Sequence, residues 1–187
     1  MAAEPSDDAL LRRMAAGDEE SFTTLYRRHQ AAIYRFALHM SGTPAIAEDV
    51  TQEVFLNLIR RPNGYDGRRG ALLSYLYGMA RNLVLRALAS RPGVPLETDG
   101  RPAAGDLFED LTRRQLAAAV RRAVLRLPPR YREVVVLCDL EEMDYAEAAH
   151  VLGCAVGTVR SRLHRARALL AGKLRPRQGR EHEFSGV

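Results

Sequence analysis

The stretch DYAEAAHVLGCAVGTVRSRLHRARALLAGKLR, residues 144–175, has the pattern of two helices joined by a tight turn. Asp144 with Glu147 three residues later is a variant of the capping box, so a short helix is predicted over 145–152. Gly153 ends this helix, because its backbone can adopt the conformation that a turn between crossed helices needs. The stretch therefore predicts a helix-turn-helix.

The second predicted helix is apolar on one side and rich in hydrogen-bond donors on the other. Its apolar stripe, which we expect to face the first helix, consists of Val159, Leu163, Ala166 and Leu170. A rotation of about 100° per residue places Ser161, His164 and Arg165 opposite the stripe, with Arg160 and Arg162 on its flanks. Residues 148–180 include eight Lys or Arg and no Asp or Glu, so the segment attracts phosphates. The pattern favours a DNA-reading helix over a solvated basic helix of an ordinary bundle.

The length and composition of the chain limit the classes to which it can belong. At 187 residues it is long enough for one ordinary domain or two small ones, and we predict two. The net charge of +5 agrees with a nucleic-acid partner. The lack of a long apolar run and of a leader pattern predicts a cytoplasmic protein. Cys138 and Cys154 are each isolated, which favours ordinary core positions over a metal site completed by His150 and His164.

One helix in the N-terminal part carries apolar side chains on more than one face. The preceding residues predict a helical bundle, and a further helix is predicted over 45–61. Its core stripe consists of Ile46, Val50, Val54 and Leu58. Phe55, Leu56 and Ile59 project from other sides, beside acidic and amide side chains. A chain of this length has little room to bury a helix all round, so the pattern favours a protein-binding face.

A loop and a helix of mixed character follow. The sequence PNGYDGRRG at 62–70 breaks regular structure with its proline and glycines. The next helix, which begins near Leu72, has a core stripe interleaved with Tyr75, Tyr77, Arg81, Asn82 and Arg86. These side chains would suit stacking and hydrogen bonding to single-stranded bases. An ordinary amphipathic helix whose tyrosines keep their hydroxyls in water is the alternative, and the residues alone leave both open.

The helical periodicity stops at 92–105, where PGVPLETDGRPAAG is dominated by proline and glycine. This segment is predicted to be a flexible linker between a domain over 1–91 and a domain over 106–175, followed by a polar tail at 176–187. Beyond the linker, two further helical stripes precede the helix-turn-helix, so the second domain has four helices. No strand pattern is present. The sequence therefore predicts an all-α chain of two small domains.

Four segments, in this order, resemble the extracytoplasmic-function sigma factors, the small two-domain specificity subunits of bacterial RNA polymerase. They are AEDVTQEVFL at 47–56, YDGRRGALLSYLYGMARN at 65–82, LPPRYREVVVL at 127–137 and YAEAAHVLGCAVGTVRSRLHRAR at 145–167. The resemblance implies a region 2-like bundle at the N-terminus and a region 4-like helix-turn-helix domain at the C-terminus. This chain departs from the family pattern at Tyr75, where tryptophan is usual, and at Gly78, where a basic residue is common.

The resemblance implies three functional surfaces. The helix over 45–61 would bind the beta-prime clamp of core RNA polymerase through Asp49, Gln52, Glu53 and Phe55. The loop and the helix after it would open the minus-ten (−10) promoter element and hold an unstacked base, with Met79 and Asn82 at the family's pocket positions. The residues that would contact this element are Arg68, Arg69, Tyr75, Met79, Asn82 and Arg86. The last helix would enter the major groove of the minus-thirty-five (−35) element and contact it through Thr158, Arg160, Ser161, Arg162, His164 and Arg165.

The predicted function is therefore promoter recognition for RNA polymerase. The partners would be promoter DNA, the beta-prime and beta subunits of the polymerase and an inhibitory anti-sigma factor. The sequence has no phosphate-binding glycine loop, metalloprotease helix or nucleophile pattern, so we expect no enzymatic activity, cofactor, metal or small-molecule substrate. One alternative is a one-component regulator that binds paired half-sites as a dimer. Another is an adaptor bundle that does not bind DNA, in which neutralising Arg160 and Arg165 would change nothing.

Overall fold

The computed structural model describes residues 4–90 and 109–174, and every regular element in these two ranges is helical. The first range contains α1 (Asp7–Ala15), α2 (Glu19–Ser41), α3 (Pro44–Arg60) and α4 (Leu72–Ala89). The second contains α5 (Glu109–Leu125), α6 (Pro129–Val135), α7 (Tyr145–Leu152) and α8 (Val156–Leu174). The all-α prediction is confirmed. The predicted linker and polar tail lie outside the described residues, so the domain limits stay predictions.

Helix α2 is the centre of the N-terminal bundle, because α1, α3 and α4 all pack against it. Its large, fully buried side chains are Leu25, Ile33, Phe36 and Met40. The Phe36 ring lies 5.3 Å from the ring of Tyr77 on α4. Burying an aliphatic or aromatic side chain of this size contributes about 1.5–3 kcal/mol, so this layer holds the four helices together. It also fixes the faces that α3 and α4 leave exposed.

Arg132 on α6 connects the ends of several elements in the C-terminal part. Its guanidinium donates to the carbonyl oxygens of Leu125, the last residue of α5, and of Leu127, two residues later, and to that of Met40 on α2. Burial lowers the pKa of this guanidinium. A buried cation is stable only when most of its N–H groups find acceptors. These backbone carbonyls supply acceptors for the two terminal nitrogens, whereas the buried Nε has none among the described residues. Arg132 therefore ties α6 to the first bundle as well as to α5.

The two described ranges also meet through buried carboxylates. The side chain of Glu141, just after a π-helical turn at Val136–Leu140, is 2% exposed. It accepts hydrogen bonds from Arg35 on α2 at 3.0 Å and from the hydroxyl of Tyr77 on α4 at 2.9 Å. Glu133 on α6 likewise accepts a hydrogen bond from Arg81 of α4 at 3.2 Å. Polar contacts thus join the N-terminal bundle to the helices that precede the helix-turn-helix.

These contacts correct one sequence-based interpretation of α4. The sequence pattern places Tyr77 and Arg81 among the groups that would stack on or bond to single-stranded bases. Tyr77 is 2% exposed. Its pKa is raised, mainly by burial and to a lesser extent by the negative charge of Glu141. Because the ring of Tyr77 lies in the core, it has no face to offer a base. Arg81 is already paired with Glu133.

Two glycines without close neighbours allow backbone conformation to be tested by itself. A methyl group added at Gly153 or Gly78 would meet nothing within 4 Å, but Gly153 has a φ of 63° and Gly78 lies inside α4. Gly153→Ala is expected to lower the free energy of unfolding by about 1–2 kcal/mol, because left-handed backbone disfavours a Cβ. Gly78→Ala is expected to raise it by roughly 0.5–1 kcal/mol. Urea unfolding of both variants measures the difference, and equal effects would contradict the assignment of Gly153.

Candidate nucleic-acid interface and protein-binding groove

The helix-turn-helix forms as its sequence predicts. The Asp144 carboxylate accepts from the backbone N–H groups of Ala146 and Glu147 at 2.7 and 2.8 Å, which begins α7 at Tyr145. The left-handed Gly153 ends α7. Val159, Leu163 and Ala166 of α8 are buried, and Ala148, Ala149 and Leu152 are their counterparts on α7. The stripe of α8 also packs on α6, which the prediction of a simple helix pair did not include.

The outward side of α8, called the α8 face, is formed by the exposed residues Arg160, Ser161, His164 and Arg165. Thr158 and Arg162, also predicted contacts, are half-buried at its edges. Arg160 lies 6.0 Å from the centre of the Tyr145 ring, and hydrogen bonding from Arg165 lowers the pKa of Tyr131. The face carries two guanidinium groups, an imidazole and a hydroxyl, and no carboxylate. These are the groups that contact phosphates and the edges of bases in a major groove.

The 62–70 loop, between α3 and α4, is held by its own side chains. The Tyr65 hydroxyl donates to the carbonyl oxygen of Gly70 at 2.9 Å, and the Tyr65 ring lies 5.8 Å from the ring of Tyr75. Gly70 has a φ of 139° and a ψ of −178°, a conformation nearly restricted to glycine. Asp66 accepts from the backbone N–H and from Nε of Arg68 at 3.1 and 3.0 Å. The loop therefore has a defined shape.

The residues predicted to contact the −10 element differ in their exposure. Arg68, Arg69, Asn82 and Arg86 are exposed, and Tyr75 and Met79 are half-buried. Arg68 already has Asp66 as an ion-pair partner, and its hydrogen bonds are the first cause of the lowered pKa of Asp66. Tyr65 packs against the Tyr75 ring, so only part of that ring is accessible to a base. The six residues thus form a basic surface with two apolar groups, along the loop and one side of α4.

The helix-turn-helix lies next to this loop, which sequence reasoning did not predict. A cavity of about 280 Å³ is lined by loop residues, by Tyr75 of α4 and by His150 of α7. Helix α4 packs directly on α7. His150 is exposed on the outer side of α7, and nothing in its sequence neighbourhood indicates a contact with residues 80 positions earlier. Such a long-range contact becomes visible once the helices are packed.

The predicted protein-binding face of α3 borders a groove between α2 and α3. The groove has a volume of about 790 Å³, and its apolar walls are formed by Phe22, Tyr26, Tyr34, Phe55, Leu56 and Ile59. Glu48 and Gln52 lie on its polar side. Ile59 is 47% exposed. A groove with aromatic walls and an acidic edge suits an apolar helix that carries basic residues.

Of the residues predicted to bind the polymerase, Phe55 needs correction. The prediction had its side chain projecting outward from α3, but it is 2% exposed, with ring centres 4.8 Å from Tyr26 and 6.4 Å from Phe22. It forms the floor of the α2–α3 groove, because the long α2 passes over that side of α3. Asp49 and Gln52 are exposed as predicted. Glu53 is half-buried and accepts from Asn57 at 3.0 Å.

Other kinds of site find little support in 4–90 and 109–174. In these ranges no group of three or more His, Cys, Asp or Glu is placed to hold a metal ion. Cys138 and Cys154 are half-buried and pack against the core, and burial raises the pKa of Cys138 to about 11. A thiol with a raised pKa is a poor nucleophile. Among the helices of the same ranges, none is long and apolar enough to span a bilayer.

Two regions of one protein family match the chain, one in each of the two described ranges. The pattern described as Sigma-70 region 2 matches residues 25–92, and the pattern described as Sigma-70, region 4 matches residues 117–170. The first covers α2 from Leu25 onward, α3 and α4, with the 62–70 loop and every groove residue except Phe22. The second covers the second half of α5 and the helices that follow, including the α8 face. The candidate surfaces therefore lie almost entirely within matched regions.

Curated relatives match over nearly the whole chain. The chain is 38% identical to the ECF RNA polymerase sigma factor SigM of Mycobacterium tuberculosis, with 90% of this chain and 84% of the relative covered. It is 35% identical to the ECF RNA polymerase sigma factor SigE of Mycolicibacterium smegmatis, with 89% and 68% covered. Among solved structures, CnrH in complex with the cytosolic domain of CnrY is similar, with a TM-score of 0.69 and 27% identity over 90% of this chain and 96% of that one.

Proposed function

Since the chain belongs to the ECF RNA polymerase sigma factors, which are transcription initiation factors, we propose that it binds core RNA polymerase and directs it to a set of promoters. The observation that carries this proposal is the α8 face, a donor-rich surface on the second helix of a helix-turn-helix. The polymerase would supply the chemistry, and this chain would supply the choice of DNA. We place this action in the cytoplasm, where the polymerase and the promoters are.

The α8 face would bind the −35 element in the major groove. A recognition helix presents side chains from its outer surface to the base edges, and Arg160, Ser161, His164 and Arg165 lie on that surface. Arginine makes paired hydrogen bonds to guanine, whereas serine and histidine can each donate or accept. Thr158 and Arg162, at the edges of the face, would contact the backbone phosphates. The surface thus combines positioning contacts with contacts that read sequence.

The 62–70 loop and α4 would bind the −10 element as it opens. Arg68, Arg69 and Arg86 supply positive charge along a path that a single strand could follow. Tyr75 and Met79 supply apolar surface against which an unstacked base can pack, and Asn82 supplies an amide that can bond to base edges. Strand opening would follow because unpaired bases bound here are withdrawn from the duplex. No step in this process requires the protein to break a covalent bond.

The α2–α3 groove and the exposed part of α3 would bind the polymerase. Gln52 lines this groove, and together with Asp49 and Glu53 it also lines a neighbouring cavity between α3 and α4. A helical segment with basic residues would therefore find both apolar and charged contacts along α3. The coiled-coil clamp of the beta-prime subunit is the polymerase segment that the family likeness assigns to this helix. The beta subunit would be contacted by the region 4-like part.

We also infer that an anti-sigma factor regulates this protein. The similar solved structure holds CnrH together with the cytosolic domain of CnrY. A second solved structure pairs the sigma factor RpoE of Bartonella quintana with the anti-sigma factor NepR; its chain is 24% identical and is similar in fold. In this protein the exposed apolar groups of the α2–α3 groove offer such a partner a surface that polymerase would also need. Competition for that surface would keep the factor inactive.

Run-off transcription tests the proposed function. Core RNA polymerase is supplied with a pool of genomic promoter fragments, with and without this protein, and new start sites are expected to depend on it. In an Asp49→Ala, Gln52→Ala double variant, initiation should fall roughly tenfold or more, because two lost contacts of about 1 kcal/mol each together exceed the 1.4 kcal/mol that corresponds to a factor of ten. Phe55 is left intact, since its buried ring supports the bundle.

A Glu4→Ala variant serves as the control, because Glu4 is an exposed acid far along the chain from the groove residues of α3. Its initiation should equal that of the unmodified protein. Absence of any new start site, together with tight binding of duplex DNA by the protein alone, would refute the proposal. That result would instead support a one-component regulator.

A further inference from the structure

The first helix of the chain touches the 62–70 loop, and nothing in its sequence predicts this contact. A Cβ added to Gly67 would lie 2.9 Å from Oδ2 of Asp8 and 3.2 Å from its Oδ1. The carboxylate of Asp8 therefore rests against the backbone of Gly67, in space that any other residue would fill with its side chain. A shallow cavity of about 330 Å³ borders this contact, with Leu11 and Arg12 on the α1 side.

Helix α1 is firmly placed, so it can act as a support. Leu10 and Leu11 are buried against the bundle. Asp7, the neighbour of Asp8, pairs with Arg28 and lies 2.8 Å from the ring of His29, which is buried on α2. Ser6 caps the helix by accepting from the backbone N–H of Ala9 at 3.3 Å. Asp8 thus extends from a helix whose position is set by the core rather than by the loop.

The contact continues from Asp8 to the residues proposed to bind DNA. Burial raises the pKa of Tyr65 to about 12, and the nearby negative charge of Asp8 contributes. The Tyr65 ring packs on Tyr75, and its hydroxyl bonds to Gly70, the last residue of the loop. The Tyr75 hydroxyl in turn lies 2.7 Å from the place of a Cβ on Gly64. A continuous set of contacts therefore leads from α1, through both ends of the loop, to α4.

We propose that Asp8 is a positioning residue for promoter opening: pressed against Gly67 and beside Tyr65, it holds the 62–70 loop in the shape that receives the unpaired strand. The inference rests on the proposed function of the loop. Asp8 would not contact DNA, because a carboxylate repels phosphates. It acts through the loop backbone and through Tyr65. Gly67 is required because a larger residue would push the carboxylate away.

A double-mutant cycle tests the coupling, with holoenzyme on a duplex promoter fragment that the unmodified protein has selected in run-off transcription. A fluorescent adenine analogue in the −10 element reports the rate of opening. Asp8→Ala and Gly67→Ala are each expected to slow opening roughly tenfold, because small displacements of a binding loop have large effects on rate. The double variant should be no slower than Asp8→Ala alone, since the added methyl group then finds the space empty.

Two further measurements separate positioning from simple stabilisation. Binding of each variant to an intact −35 duplex is expected to match the unmodified protein. The thermal unfolding midpoint is expected to fall by about 4 °C or less, the effect of losing one acidic side chain from the first turn of α1, which is too small to unfold the protein at the assay temperature. Glu4→Gln removes a negative charge from the same end of the chain, at a side chain that is 92% exposed, and should open promoters at the normal rate.

Each of the other outcomes overturns the inference. Additive slowing in the double variant would show that Asp8 and Gly67 act independently. Slowing that follows a larger fall in the unfolding midpoint would assign Asp8 a structural role alone. Normal opening by Asp8→Ala would remove the role entirely while leaving the proposed function intact. If the unmodified protein itself fails to direct initiation, the proposed function fails, and the inference fails with it.

Discussion

Replacing Arg160 and Arg165 together with alanine is expected to weaken binding to a −35 duplex by about 100-fold or more. Both guanidinium groups are on the exposed α8 face, where they would contact guanine edges or phosphates. A well-formed arginine contact to a base is worth about 1–3 kcal/mol, and each factor of ten in affinity corresponds to 1.4 kcal/mol. Fluorescence anisotropy with a promoter fragment found by run-off transcription measures the change.

The dependence on salt provides a second measurement. Each lost phosphate contact is expected to reduce the slope of log affinity against log salt by about one. The charge-matched control is Arg27→Ala with Arg122→Ala, two exposed arginines on α2 and α5, outside the α8 face. This control should lose little affinity. Equal losses in the two double variants would show that the protein responds to total charge, and the α8 face would then have no special role.

Leu163→Ala is expected to lower the free energy of unfolding of the C-terminal helices by about 2–5 kcal/mol, the usual range for truncating a buried leucine. Leu163 lies in the centre of the α8 stripe and is 2% exposed. Its removal leaves a cavity between α8 and the helices that support it. Binding to the −35 duplex should weaken as well, since the recognition helix loses its fixed orientation. Denaturant unfolding followed by circular dichroism measures the first effect.

Leu169 on the same helix is the matched control for Leu163, because it has the same side chain and is 40% exposed. Leu169→Ala should change stability by less than about 0.5 kcal/mol, as is usual for surface positions. A large effect at Leu169 with a small effect at Leu163 would mean that α8 packs through a different face. The assignment of the α8 face to DNA would then be wrong as well.

Local pattern was sufficient to predict the helix-turn-helix. The bounds of α7 follow from the Asp144 cap and from Gly153, which act on the backbone within a few residues. The outward direction of Arg160 and Arg165 follows from helical periodicity. Once the apolar stripe of the helix is buried, the residues on the opposite side must face solvent. Interactions between residues that are close in sequence can be predicted from the residue types and their spacing.

The remaining features arise from contacts between distant residues. Periodicity predicts an outward direction for Phe55 because it describes α3 alone, whereas the packing of α2 decides which side of α3 is covered. The prediction that Tyr77 contacts bases is wrong because its partner Glu141 lies 64 residues away in the sequence, where local pattern cannot reveal it. The support of the loop by Asp8 depends on how α1 folds back on the bundle. In each case the sequence specifies the side chain, and the packing of other helices decides its surroundings.

The carboxylate of Glu141 has a consequence for any partner that separates the two helical units. Separation breaks its bonds to Arg35 and Tyr77, and a buried polar group left without partners costs about 1–3 kcal/mol, more when it is charged. Water can supply new donors if the gap opens fully. A protein that enters the gap and keeps it dry must bring its own donors, such as a guanidinium or a hydroxyl. Binding between the units is therefore an exchange of hydrogen-bond partners.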